Sequence, residues 1–182
     1  MTRRAFERRQ RVALLLLVLA LVGLAAWVAP RLFVLFDEAY NLSVSLNLAQ
    51  RGVYATHANG RDAWFDPAVS TGPVVLAPLA LALRLGGVSL TVSRTTMLAF
   101  FVASVLLAGW GARQLLGGRW PAVSFVTVFV ATPLVLEFGL CVMGDVPAIA
   151  LAVAGFGLLQ RGETGGGRHV PRLLLAGVAF GL

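Results

Sequence analysis

Residues 36 to 40 read Phe-Asp-Glu-Ala-Tyr and follow a long apolar run. Two adjacent carboxylates, Asp37 and Glu38, are costly at the mouth of an apolar segment unless something pairs, caps or uses them. In that place a carboxylate can act as a general base and take a proton from a hydroxyl. Two more acids stand further on: Glu137 near the end of an apolar run, and Asp145 just before Pro147. Tyr40, His57, Arg61 and Arg94 lie around the first pair in sequence and complete a candidate set for binding a substrate. An arginine suits a phosphate, and a histidine suits a ligand or a base. Each residue also has a plainer reading. Asp37 and Asp145 fit helix starts, where the dipole favours an anion. Arg94 fits a snorkelling anchor, and His57 an ordinary surface histidine.

The elements that must position these residues are set by composition. The chain has 182 residues, of which 58% are hydrophobic and 13% charged. A soluble domain carries about 25% charged residues. Apolar runs recur from residue 12 to the end, which predicts an all-α, polytopic integral membrane helix bundle in the inner (plasma) membrane. The net charge of +7 comes from 15 basic residues, all arginine, in short clusters between the apolar runs. Such clusters read as topology signals and contacts to membrane lipids, not as a nucleic-acid surface. The single Cys141 excludes an internal disulfide and fits a small buried filler. The basic N-terminus precedes an apolar run too long for a signal peptide, so an uncleaved first span with a cytoplasmic N-terminus is expected.

The apolar segments are 12–36, 73–87, 95–115, 120–136, 145–160 and 173–182. If each crossed the bilayer, Arg113, Arg119, Arg161, Arg168 and Arg172 would lie outside, against the positive-inside bias. Segment 73–87 spans only about 22 Å as a helix and contains Pro78 and Arg84. Taken as embedded without crossing, it returns those arginines to the cytoplasm with Arg3, Arg4, Arg8, Arg9 and Arg11. The outer face then receives a long loop, 37–94, and a short one near 137–145. Asp37, Glu38, Glu137 and Asp145 all fall on that face. The segment at 173–182 is too short to cross, so the chain is expected to be the N-terminal part of something longer.

Within the long loop, Asp37 to Gly52 predicts an amphipathic helix with Ala39, Leu42, Leu46 and Ala49 on its apolar stripe and Gly52 as its C-terminal cap. Asn41, Ser45 and Gln50 fall elsewhere on that helix. Asn59-Gly60 and Asp66-Pro67 are turn signals, and Trp64 and Phe65 suit the headgroup belt. Ser70 to Pro73 breaks the chain before the embedded piece.

Taken in order, Asp-Glu-Ala-Tyr, Arg-Gly-Val-Tyr after the helix, Thr-Gly-Pro, the Ser-Arg-Thr-Thr helix start, the basic turn from Ala112 to Trp120 and Gly-Asp-Val-Pro-Ala resemble the N-terminal part of the GT-C glycosyltransferases. The resemblance is nearest to the family 39-like members, the bacterial relatives of dolichyl-phosphate-mannose–protein mannosyltransferases and of the lipid A aminoarabinose transferase. It runs along most of the chain. It implies a polyprenyl-phosphate-linked sugar as donor and a lipid, glycan or protein acceptor on the extracytoplasmic face. It also implies juxtamembrane helices in the first outer loop. On this resemblance Asp37 is the catalytic base, Glu38 its neighbour, and Asp145 the acid from the second loop, with Glu137 next. Arg94 or Arg61 would meet the phosphate. No cofactor is called for, although a divalent cation is compatible with the carboxylates. The chain departs from the mannosyltransferase pattern where Ser70 to Pro73 replaces a His-Pro-Pro stretch, so the acceptor is left open. A secondary transporter and a non-catalytic membrane scaffold are the rival classes. Transporter sites lie near the bilayer midplane, whereas these acids lie at span ends.

Overall fold

The structure is a computed structural model and describes residues 16, 19, 20, 22–64, 71–164 and 169–181. It is mostly helical. After α1 (22–28) and a 3-10 turn at Ala29–Arg31 come α2 (Phe36–Arg51), a hairpin of β1 (Thr56–Ala58) and β2 (Arg61–Ala63), α3 (Pro73–Gly86) and α4 (Leu90–Leu115). Then follow α5 (Arg119–Ala131), α6 (Pro133–Leu140), α7 (Asp145–Thr164) and α8 (His169–Gly181). The beginning of the expected span 12–36 and the Asp66-Pro67 turn lie outside the described residues.

Helix ends follow the local chemistry. Gly52 takes φ 73° and donates its N–H to the Leu48 carbonyl, closing α2 as a left-handed cap. Ser89 caps α4 by accepting the Val92 N–H at 3.2 Å. Pro73 sits in the first turn of α3, where its missing N–H costs nothing. Asn59 and Gly60 both have positive φ, the type I′ pattern that joins two antiparallel strands by a two-residue loop.

α4 is the hub and packs on α3, α5, α6 and α7. At 26 residues it is the one described helix long and apolar enough by itself to cross a membrane. The expected span 120–136 is instead two helices, α5 and α6, bent by 70° at Thr132. The cause is Pro133. It pushes Thr132 into an extended conformation, φ −73° and ψ 117°, and it has no N–H to continue the ladder. Counted as one broken span, the bent pair would be a second crossing helix. α3 is 14 residues long, about 21 Å, and buries Val75, Leu76, Leu79 and Leu83 against α2 and α4.

α4 and α7 meet through small residues. A Cβ on Gly111 would lie 2.6 Å from the Val153 carbonyl oxygen, and one on Gly157 would lie 3.1 Å from Gly111 Cα. Ala108, Ala150 and Ala154 are buried beside them. Small residues at the contact are what let the two backbones come this close.

Gly111→Ala therefore forces two backbones apart. An overpacking cost of about 1–3 kcal/mol outweighs the gain of about 1 kcal/mol from Ala over Gly in a helix. At Gly109 the added Cβ meets no backbone, only the Val126 side chain, at 2.9 Å, so a smaller shift relieves it. Thermal unfolding in detergent should show Gly111→Ala destabilised by more than Gly109→Ala.

Candidate functional site

The first turn of α2 carries Asp37 and Glu38 to opposite fates. Asp37 is exposed, whereas Glu38 is fully buried. Glu38 Oε1 pairs with Arg94 Nη1, and Oε2 accepts from Arg94 Nη2 at 3.0 Å. Oε1 also accepts the Val142 N–H at 3.0 Å, and Oε2 faces the Leu35 N–H at 3.4 Å, the back half of a capping box. Arg94 is 3% exposed and donates to the Leu140 carbonyl at 2.9 Å. It reaches the Leu32 and Phe33 carbonyls at 3.5 Å. One ion pair thus clasps the segment before α2, α2 itself, α4 and the α6–α7 loop. Charges this dry survive because nearly every lone pair and proton is satisfied.

This placement changes what Arg94 can do. It is neither a snorkelling anchor nor a free phosphate ligand, because its guanidinium is engaged by Glu38 inside the protein. Glu38 likewise acts as a structural partner, not an open neighbour of Asp37.

The rest of α2 continues the pattern. The expected apolar stripe is only partly covered: Ala39 is exposed, and Leu42, Leu46 and Ala49 are half-buried, with Leu42 and Ala49 packed against the core around Val44 and Leu76. The buried polar residues are Glu38, Asn41, Ser45 and Asn47. Periodicity defines a stripe but not which face the fold covers. Here hydrogen bonds across to other segments favour the polar face. Asn41 Nδ2 donates to the Val142 carbonyl at 2.6 Å and to Thr71 Oγ1 at 2.9 Å. Ser45 donates to the Leu76 carbonyl at 3.3 Å, and Asn47 to the Ala55 carbonyl at 2.9 Å. Thr71 Oγ1 accepts a second bond from the Gly144 N–H at 3.1 Å. The two loops that carry the acids are therefore in direct contact.

Beside this contact lies a cleft of about 190 Å³, lined on one side by Thr71, Gly72, Val74 and Val75 and on the other by Gly144, Asp145, Pro147, Ala148 and Leu151. Asp145 opens α7, one place inside the helix instead of at the expected cap, and is exposed at the cleft. Asp37 and Asp145 have no hydrogen-bond or ion-pair partner among the described residues. Cys141 is buried beside the clasp; burial, with the charge of Glu38, pushes its thiol up to about 11.

The other candidates are not gathered here. Tyr40 packs edge-on against Phe36, with ring centroids 5.0 Å apart. Glu137 is half-buried within α6. His57 and Arg61 belong to the hairpin at the far end of α2, about 20 Å of helix from Glu38. There His57 Nδ1 lies 2.8 Å from Asp62 Oδ1, and Arg51 donates to both Asp62 oxygens at 3.0 Å. Arg61 is exposed. Among the described residues no three His, Cys, Asp or Glu side chains converge as metal ligands. Thr71 and Asn41, central to the site, figure in the sequence only as part of the break from Ser70 to Pro73 and as a polar residue off the apolar stripe. The pairing of Asn41 with Thr71 had no signal in the sequence. Comparison with protein-family models, curated proteins and solved structures finds no match.

Removing one member of the clasp strands the other. Glu38→Gln or Arg94→Ala is expected to cost about 3–5 kcal/mol. Glu38→Leu combined with Arg94→Met should recover a large part of that loss. Denaturant unfolding in detergent checks this, and a double variant no better than either single one would remove the clasp from its organising role.

At the hairpin, the His57 hydrogen bond, followed by the Arg51 charge, holds the Asp62 carboxyl below its usual value. A depressed carboxylate stabilises above its unfolded pKa and loses that contribution as pH falls through its folded value. Protection factors of the hairpin amides, with the intrinsic pH dependence of exchange divided out, should therefore fall below about pH 4, and Asp62→Asn should abolish that fall.

Proposed function

We propose that the protein is a multi-pass membrane glycosyltransferase that moves a sugar from a polyprenyl-phosphate donor to a hydroxyl-bearing acceptor on the extracytoplasmic face. The observation that carries this reading is the clasp. It joins the starts of α2 and α7 through Glu38, Asn41 and Thr71, and it leaves Asp37 and Asp145 exposed beside that joint. Several features support the membrane setting: the length of α4, the small-residue packing of α4 on α7, and the outward Phe33, Phe36, Trp64 and Leu106. The arginine distribution and the resemblance to GT-C transferases favour the same orientation.

The chemistry asked of the chain is modest. Asp37, exposed beside its buried neighbour, takes the proton of the acceptor hydroxyl. The freed oxygen pair forms the new bond at the anomeric carbon. The bond from that carbon to the phosphate oxygen breaks, and the lipid phosphate leaves with its electrons, giving inversion without a covalent intermediate. With Arg94 engaged by Glu38, the phosphate falls to other groups.

A transporter is the second reading, favoured by the buried Glu38, since carboxylates in membranes carry protons. The two readings separate in one preparation. Asp37→Asn in membrane vesicles should lower sugar transfer from a radiolabelled polyprenyl-phosphate sugar by about a hundredfold or more. Unchanged transfer would remove Asp37 as base. Proton-driven uptake of a sugar by proteoliposomes, with no transfer, would replace the transferase by a carrier.

A further inference from the structure

Thr71 is 3% exposed, yet it lines the cleft. Its hydroxyl oxygen has two lone pairs and one proton. Both lone pairs are filled from the protein side, by the Asn41 amide at 2.9 Å and the Gly144 N–H at 3.1 Å. The Val142 carbonyl can only accept, so the Asn41 amide must turn its NH₂ to this corner and cannot take the Thr71 proton. No described residue accepts that proton. It is left as a buried, oriented donor at the wall of the cleft, and an unmet buried donor is costly.

The remaining lining narrows what could meet it. Asp145 adds a carboxylate, which accepts hydrogen bonds. Val74, Val75, Pro147, Ala148 and Leu151 make apolar walls, and no cation is among the lining residues. A carboxylate without a cation repels a phosphate. A donor, an acceptor and apolar walls suit a neutral group that carries hydroxyls on its rim and C–H bonds on its faces. The volume of about 190 Å³ is below the roughly 300–1,000 Å³ of drug-sized pockets, so it suits one ring.

We infer that this cleft binds a single neutral sugar ring, with the Thr71 hydroxyl donating to a ring substituent and the Asp145 carboxylate accepting from a sugar hydroxyl, while the donor's phosphate is held elsewhere. This deepens the transferase reading by giving the sugar its place, but its test is binding and not turnover.

The probes are methyl hexosides, with inorganic phosphate as the charged control, followed by saturation-transfer NMR on the protein in nanodiscs. A methyl hexoside should bind, and phosphate should not compete with it. Asp145→Asn and Thr71→Val should each weaken binding about tenfold or more, and Thr71→Ser, which keeps the hydroxyl, should restore it. Because Thr71→Val also unties Asn41 and Gly144, Ala148→Phe provides a variant that fills the cleft without touching those bonds, and it should abolish binding. Hexoside binding unaffected by Ala148→Phe, phosphate competing for the site, or Thr71→Ser behaving as Thr71→Val would each overturn the assignment. Failure here with intact, Asp37-dependent transfer would leave the transferase standing. Cleft binding without transfer would do the reverse.

Discussion

A carboxylate and a guanidinium in a dry interior are stable only together, and the pair formed by Glu38 and Arg94 sets the conditions for everything around it. Neither group can be solvated where it lies. Each must therefore find its hydrogen bonds in the backbone of other segments: Leu32, Phe33 and Leu35 on one side, Leu140 and Val142 on the other. The pair ties four pieces of chain into one joint, alongside the apolar contacts of Val44, Met97 and Val142. It also fixes the rotation of α2 about its axis. With Glu38 turned inward, Asn41 and Ser45 follow on the same face, and Asp37 is left facing out.

From that rotation comes a division between a closed side and an open side. The closed side holds Glu38, Arg94, Asn41 and Cys141, all buried, with both Glu38 oxygens paired, while Asn41 Oδ1 and Arg94 Nε find no partner among the described residues. Cys141 shows the burial plainly, since its thiol is held far from the thiolate that any chemistry would need. The open side holds Asp37, Asp145 and the cleft. Thr71 is the hinge between the two, receiving bonds from the closed side while lining the open one. An exposed carboxylate next to a buried one is thus a matter of which face of one helical turn each occupies.

Much of the scaffold was legible from local signals. Gly52, Asn59-Gly60 and Pro73 each mark an element end by a mechanism confined to a few residues, and each stands where that mechanism requires, whereas the cap at Ser89, ahead of the expected start of its span at residue 95, went unread. The Thr132-Pro133 break was also written in the chain, but an apolar run of the right length outweighed it in the reading of 120–136. The polarity of α2 was not legible. A stripe of Ala39, Leu42, Leu46 and Ala49 tells only that two faces differ. The choice between them depends on partners 30 to 104 residues away, at Thr71, Leu76, Arg94 and Val142. The same distance hid the engagement of Arg94, whose type and position suited a lipid anchor or a phosphate equally well.

The separations of 56 residues between Glu38 and Arg94 and 104 between Glu38 and Val142 carry a consequence for biogenesis. A nascent chain is made from its N-terminus. When α2 leaves the ribosome its acid has no counter-ion, and when α4 follows, the pair still lacks the two backbone groups of the α6–α7 loop. Those groups arrive only after Pro133 has turned the chain back. Until then the segment around Glu38 has reason to stay hydrated, and the joint would be sealed by the last of its contributors to be synthesised.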